Sequence, residues 1–399
     1  MPWTTDRSGG RDRWVDVDDD HDVWRDLRRT CPVREEVGPD GVPFRSFYRH
    51  AECQAILRDS GLFSSTSGTL LTSVGTPDPL GGHTLATTDP PRHAALRRPS
   101  TRALGPAAAR AHADDVHSGV RGLLEPLLAG GVHDVAVLLR RLPMIAAGPM
   151  LGLPETTWEM AVSAATATIA PCDPLHADGD ATETVLRASA GLFGAIREAL
   201  PSSLSAPDTL PGALSEVSVE GAALTRRQLM ANVHSALIGG STATLNTALH
   251  LLLHLARTPD LWQEVVEDRS LVPGLVDEAA RWTTPARQLV RRATADVELA
   301  GAHLRAGDWV VAWLASANRD EAVFADPDRF DPRRAPNPHL AFGLGPHFCV
   351  GAAAGRTLLG ALVTELADSG ARFELAGQPR RLVSAVVNGI TRLPMRFTP

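Results

Sequence analysis

One segment, HLAFGLGPHFCVGAAAGRTLLGALVTEL (339–366), constrains this chain more than any other, because it sets a cysteine in a glycine-rich loop that runs straight into a long apolar helix. Gly343, Gly345 and Gly351 permit backbone turns barred to other residues, so peptide N–H groups can converge on the Cys349 sulfur. The positive end of the helix that follows adds to this field, which predicts a lowered thiol pKa and a stabilised thiolate. A thiolate so held is a soft, strongly electron-donating metal ligand; the competing reading is an inert buried cysteine. Cys31, Cys53 and Cys172 lie far apart and show no paired spacing of a zinc site or disulfide framework, so a single thiol carries any cysteine chemistry.

The rest of the chain bounds the answer. At 399 residues, 44% hydrophobic and 21% charged, it can bury a large core. No run approaches the roughly 18 apolar residues that span a bilayer, and MPWTTDRSGGRDRW has no hydrophobic signal core, so no membrane and a cytoplasmic location are expected. The net charge of −7 and the acidic run VDVDDDHD argue against a nucleic-acid partner. No repeat or linker divides the sequence, which reads as one domain over 1–399. Helical periodicity dominates from about residue 104, with short strand-like stretches at 296–304 and 309–313, so the expected class is mainly α with minor β. Apolar residues at helical spacing over 225–257 predict a helix of roughly 50 Å that stops at Pro259. Gly239 and Gly240 in its middle cost about 1 kcal/mol each relative to alanine, which points either to close approach of something large and flat or to a helix crossing or kink.

The stretch FGLGPHFCVGAAAGR (342–356) resembles the haem-binding signature of cytochromes P450, matching Phe342, Gly343, Gly345, His347, Cys349, Gly351 and Arg356. Ala354-Gly355 stands where that family usually has Leu-Ala. Three further segments resemble it in order and spacing: TDPPRHAALRR with His93 and Arg97, DEAARW with Glu278 and Arg281, and ANRDEAVFADPDRFDPRR (317–334). The resemblance implies the cytochrome P450 fold, with haem b (heme b, iron protoporphyrin IX) between the long central helix and the cysteine-loop helix. Cys349 would be its iron ligand, donating electron density of the kind that favours O–O cleavage. Phe342 and Gly351 would line the cofactor, and His93, Arg97, Arg291 and His347 would meet its propionates through charge-assisted bonds. Glu278 and Arg281, three residues apart on one helix face, would lock the core together with an arginine of the 317–334 segment. Electrons would come from a ferredoxin and a ferredoxin reductase, with no reductase fused to the chain.

The sequence departs from the family in the long helix, where Ala/Gly-Gly-x-acid-Thr becomes Gly239-Gly240-Ser241-Thr242-Ala243, followed by Thr244. Thr242 takes the acid position and Ala243 the alcohol position of the pair that helps deliver protons during dioxygen activation. Gly240, Thr242, Ala243 and Thr244 are therefore the candidate catalytic positions. Ser241, Thr242 or Thr244 could hold a replacement water chain, a polar substrate could relay the proton, or the oxidant could be peroxide. By resemblance, substrate contacts fall in 70–85, 166–192, 234–244, 284–289 and 386–390. His234, Gly239, Arg287, Gln288 and Asn388 are the candidates there. Arg287, if buried, needs an anionic partner, which favours a polar substrate, peptidic or bearing a carboxylate. The leading expectation is an oxidative tailoring enzyme of bacterial secondary metabolism, performing hydroxylation, coupling or oxidative decarboxylation. A peroxide-driven or redox-neutral haem-thiolate enzyme and a non-catalytic haem protein binding a small molecule or carrier-bound substrate are the alternatives.

Overall fold

The structure, a computed structural model, describes residues 21–38 and 41–398; the amino-terminal stretch and the acidic run up to Asp20 lie outside the described residues. The predicted long helix is present as Arg226–Arg257. Its start is fixed by Thr225, whose hydroxyl accepts from the Gln228 N–H while the Gln228 side chain accepts from the Thr225 N–H, satisfying two donors left open by helix geometry. Pro259 does more than end it, since it opens the next helix, Pro259–Glu267, where a missing N–H has no cost. The long helix continues unbroken through Gly239 and Gly240. It is apolar enough to cross a membrane by length and composition, yet 67% of its most apolar stretch is buried within the protein, as in a core helix.

Its apolar residues explain that burial: Leu229, Val233, Leu237, Leu249 and Leu252 all sit in one core. Around it pack Leu142–Leu151, Trp158–Ile169 and Ala181–Leu204, and, from the cysteine side, Val272–Thr283 and Ala352–Asp368. Helices also precede residue 104, at His21–Thr30, His50–Arg58 and Arg92–Leu104, earlier than the periodicity suggested. A mixed five-stranded sheet runs in the order Val33–Val37, Pro43–Phe47, Trp309–Ala312, Leu289–Ala293 and Phe63–Ser64. The stretch 296–304 is not one strand but a hairpin, Val297–Leu299 with Ala302–Leu304, because Ala300 and Gly301 both take positive φ and turn the chain back.

Beneath the core, the Glu278 carboxylate is closed off from water and is bonded by four residues. Arg281 donates to both of its oxygens at 2.7 and 2.8 Å, Arg334 Nε at 3.2 Å, Asn337 Nδ2 at 3.2 Å and the Asp331 N–H at 2.8 Å. Burial raises the carboxyl pKa, but these bonds and cations outweigh it and hold Glu278 ionised. Arg281 spends its other N–H groups on the carbonyls of Asn318, Pro327 and Arg329, so the expected network with the 317–334 segment is present. Asn318 in turn bonds the Leu340 N–H at 2.7 Å, which carries the lock to the root of the cysteine loop.

Removing one member of such a buried pair leaves the others uncompensated. Glu278→Ala is expected to destabilise the fold by about 3–5 kcal/mol, read from denaturant unfolding. A second expectation concerns acid. His234 and His254 are held at about 4, below the ordinary 6.5, chiefly by burial. The unfolded chain therefore binds more protons than the folded one between pH 6.5 and about 4, and stability should fall as pH drops through that window. A stability curve flat from pH 7 to 5 would contradict this.

Candidate active site

The cysteine loop is shaped by positions only glycine can fill. Gly343 and Gly345 have φ of +68° and +70°, and a Cβ on Gly345 would stand 2.8 Å from the Leu57 carbonyl and 2.9 Å from Arg58 Cα. The Cys349 N–H bonds the Phe342 carbonyl at 2.8 Å, closing the loop, and Ala352–Asp368 starts three residues on. Cys349 is exposed along the cavity, yet the protein packed around it desolvates the thiol and raises its pKa, the Gly351 N–H and the charges of Arg97 and Arg356 offsetting part of that rise, opposite in direction to the expected lowering. A cation bound at the sulfur would favour the thiolate. Arg356 braces the site, with its guanidinium carbon 4.4 Å from the Phe342 ring centre and Nε bonded to Asp277 at 2.7 Å.

Cys349 faces a cavity enclosing about 1650 Å³, mouth included, between this loop and the long helix. Phe342, Gly351, Gly239, Gly240, Ala243 and Thr244 line it, and His93, Arg97, Arg291 and His347 form one polar edge. Arg291 is buried, and its guanidinium bonds only the Val290 carbonyl, at 2.8 Å; among the described residues no carboxylate lies within 4 Å. Burial lowers it to about 10. Arg97 donates to the Phe348 carbonyl at 2.6 Å. The rings of His93 and His347 stand 4.4 Å apart, and His93 Nε2 is buried without a partner. Burial, with the charges of His347 and Arg97, lowers His93 to about 4, so at neutral pH it serves as a neutral hydrogen-bonding ring. The one acid at this edge is Asp89, 3.7 Å from His347 Nε2 and held by Ser64 Oγ and the Ser65 N–H. Sequence reading passed over Asp89, although it sits four residues before His93 in the same quoted segment.

A buried Arg291 and a half-buried Arg97 against one carboxylate leave the edge short of negative charge, and burial of an unbalanced cation is expensive. A flat dianionic group removes the imbalance. A Cβ on Gly239 or Gly351 would meet nothing within 4 Å, and one on Gly240 would reach only Ala147, so both faces are thinned where such a group passes. The residues present therefore fit haem: Cys349 for the iron, and Arg97, Arg291, His93 and His347 for the two propionates.

Other candidates are placed elsewhere. Thr242 is off the cavity wall; its hydroxyl donates to Ile238 O at 2.8 Å, as Ser241 donates to Leu237 O at 2.7 Å. His234 is buried face to face with Phe193, ring centres 4.5 Å apart. Arg287 and Gln288 are buried but also off the wall, with the Arg287 N–H bonded to Val386 O and Gln288 Nε2 to Ala385 O. Asn388 ties Thr283 O to Arg381. Neither 166–192 nor 386–390 lines the cavity; Ser384 Oγ bonds Ile169 O and the Val383 N–H bonds Asp173, so the first segment is tied to the chain just before the second. Missed by sequence were Leu142–Leu151, which contributes Ala146, Ala147 and Met150 to the wall, and Asn232.

A cysteine sulfur facing a thin, cation-edged chamber places the molecule in the haem-thiolate class. Comparison agrees: residues 209–367 match the family model "Cytochrome P450". Cytochrome P450 126 of Mycobacterium tuberculosis is 33% identical over 361 residues, covering 87% of this chain and 86% of the relative. The structure superposes on Mycobacterium marinum CYP268A2, solved with pseudoionone, with a TM-score of 0.88 and 28% identity over 96% of both chains. On P450 OxyD, involved in biosynthesis of vancomycin-type antibiotics, the TM-score is 0.84 and the identity 31%, covering 96% and 97%. The chain belongs to the cytochrome P450 family, its cofactor is haem b, and it is an oxidoreductase.

Cys349→Ser should abolish the red-displaced absorption that carbon monoxide gives in the reduced haem protein. Arg291→Leu, which removes a buried cation without opening a large void, should leave that band but lower haem retention on gel filtration by about tenfold or more.

Proposed function

We propose that this protein is a monooxygenase that tailors a secondary metabolite in the bacterial cytoplasm, drawing electrons from a ferredoxin and a ferredoxin reductase. The balance is one C–H bond and one O2 consumed with two electrons and two protons, giving a hydroxylated product and water. When bound, haem supplies the reductive activation of dioxygen. The chain supplies position and protons. Cys349 and the four residues of the polar edge fix the cofactor, and the long helix presents Gly239, Gly240 and Ala243 to the chamber. Likeness to P450 OxyD supports the tailoring assignment.

The observation that carries the reading is Ala243 on the cavity wall, with the hydroxyls of Ser241, Thr242 and Thr247 around it already committed. Ser241 and Thr242 give their hydrogens to carbonyls one turn back, and Thr247 gives its own to Ala243 O at 2.9 Å. Thr244 alone among these faces the chamber without such a commitment. The substrate's own polar group therefore relays the proton beside Ala243. The chamber is mostly apolar, with Leu85, Ala146, Ala147, Met150 and Ala236 on its wall, and Arg287 is not there to hold an anion. A largely apolar small molecule with an uncharged hydroxyl or amide fits better than a carboxylate-bearing or peptidic one.

Candidate metabolites are titrated into the ferric protein, scoring the low-spin to high-spin shift, and the best is turned over with ferredoxin and reductase. Ala243→Thr should leave product formed per electron pair unchanged or lower, whereas a rise of about tenfold would overturn substrate assistance. Equal turnover with peroxide alone would overturn the need for protein electron donors.

A further inference from the structure

Part of the cavity wall is a looped segment that ends in one 3-10 turn, Leu85–Thr87, and Leu85 and Ala86 are its contribution. Residues 80–87 are knitted to one another. The Thr87 hydroxyl donates to Leu80 O at 2.9 Å, the Gly82 N–H to Thr87 O at 2.6 Å, and the Thr84 and Thr87 hydroxyls meet at 2.8 Å. The unit therefore moves as one body, and what matters is how it is attached. Asn232, buried on the long helix, makes that attachment: Oδ1 accepts from the Leu85 N–H at 2.8 Å, and Nδ2 donates to His83 O at 3.1 Å and to Gln228 O at 2.8 Å. Among the described residues these are the only hydrogen bonds between 80–87 and the long helix.

An amide is the one side-chain group that offers a donor and an acceptor side by side, so it can take an N–H and a C=O from the same loop. Losing it leaves the part-buried Leu85 N–H and His83 C=O without partners, and because this edge of the segment already borders solvent, a small lift lets water satisfy both. Ser235, Ala236 and Gly239, within two turns of Asn232, line the same chamber, so lifting the segment opens the wall facing them. We propose that Asn232 is a positioning residue: it clamps segment 80–87 shut over the chamber and thereby sets how tightly a chamber-filling ligand is held. This rests on the chamber being the substrate site.

The haem-loaded protein is compared with Asn232→Leu, similar in size but unable to pair, and Asn232→Asp, which keeps the acceptor and turns an oxygen toward His83 O. Hydrogen exchange at the Leu85 amide should rise by about tenfold or more in the leucine variant and less in the aspartate variant, while the Leu249 and Val310 amides exchange as before. Imidazole, small enough to reach the iron without touching the segment, should bind both variants as it binds the parent. Clotrimazole, which fills the chamber, should bind the leucine variant about tenfold more weakly. Unchanged exchange at Leu85, a matching rise at Leu249 and Val310, or equal weakening of both azoles overturns the clamp. Failure of either azole to perturb the parent spectrum would instead count against the haem chamber, and the exchange result would still decide the clamp.

Discussion

The Glu278 carboxylate, sealed from water, is the point on which the remaining structure depends. Its bonds to Arg281, Arg334, Asn337 and the Asp331 backbone hold together a helix and a long irregular segment that has little regular hydrogen bonding of its own. That segment delivers Asn318 to Leu340, and Leu340 begins the turn that closes on Gly343. The position of the Cys349 sulfur is thus inherited from an ion pair several residues removed from any chemistry. A buried charge cluster of this sort gives little net stability, but its loss leaves several unpaired charges at once, so it tolerates only one arrangement of the chain around it.

The chamber is organised by a division between the two kinds of wall. On one edge, Arg97 and Arg291 are drawn in against the cost of burial, with Asp89 as a partial counterweight. Elsewhere the lining is small and apolar, and the hydroxyls that the long helix could have presented are turned back onto its own carbonyls. A side chain that bonds its own helix four residues back is using the cheapest partner available, and Ser241 and Thr242 add no polar group to the chamber as a result.

Much of this could be read in advance from the residues. The long helix was visible because its apolar residues repeat at helical spacing and Pro259 stops it, and the cysteine loop because Gly343, Gly345 and Gly351 surround a cysteine that runs into an apolar helix. His93, Arg97, Arg291 and His347 fell on one edge because motif spacing survives folding. What escaped depended on the third dimension. Thr242 has the right place in the helix but a rotamer that faces inward, and no pattern of residue types specifies a rotamer. Pro285 and Leu289 reach the wall while Arg287 and Gln288 between them do not, because that stretch is bonded to Val386 and Ala385 on the far side. Leu142–Leu151 reads only as an apolar run, and Asn232 as a polar residue in a helix, until the chain brings 83–85 against it. The thiol pKa was misjudged because N–H groups and helix ends are local, whereas desolvation is a property of the whole fold.

The cations at the edge of the chamber also bear on how the protein comes to exist. A newly made chain that has not met porphyrin has nothing to offset the burial of Arg291, so that side of the interior has no electrostatic reason to close. The dianion acts as a late-arriving keystone. Production of the finished protein is then tied to the supply of tetrapyrrole as well as to the rate of translation, and expression that outruns that supply should accumulate loosened, protease-sensitive chains.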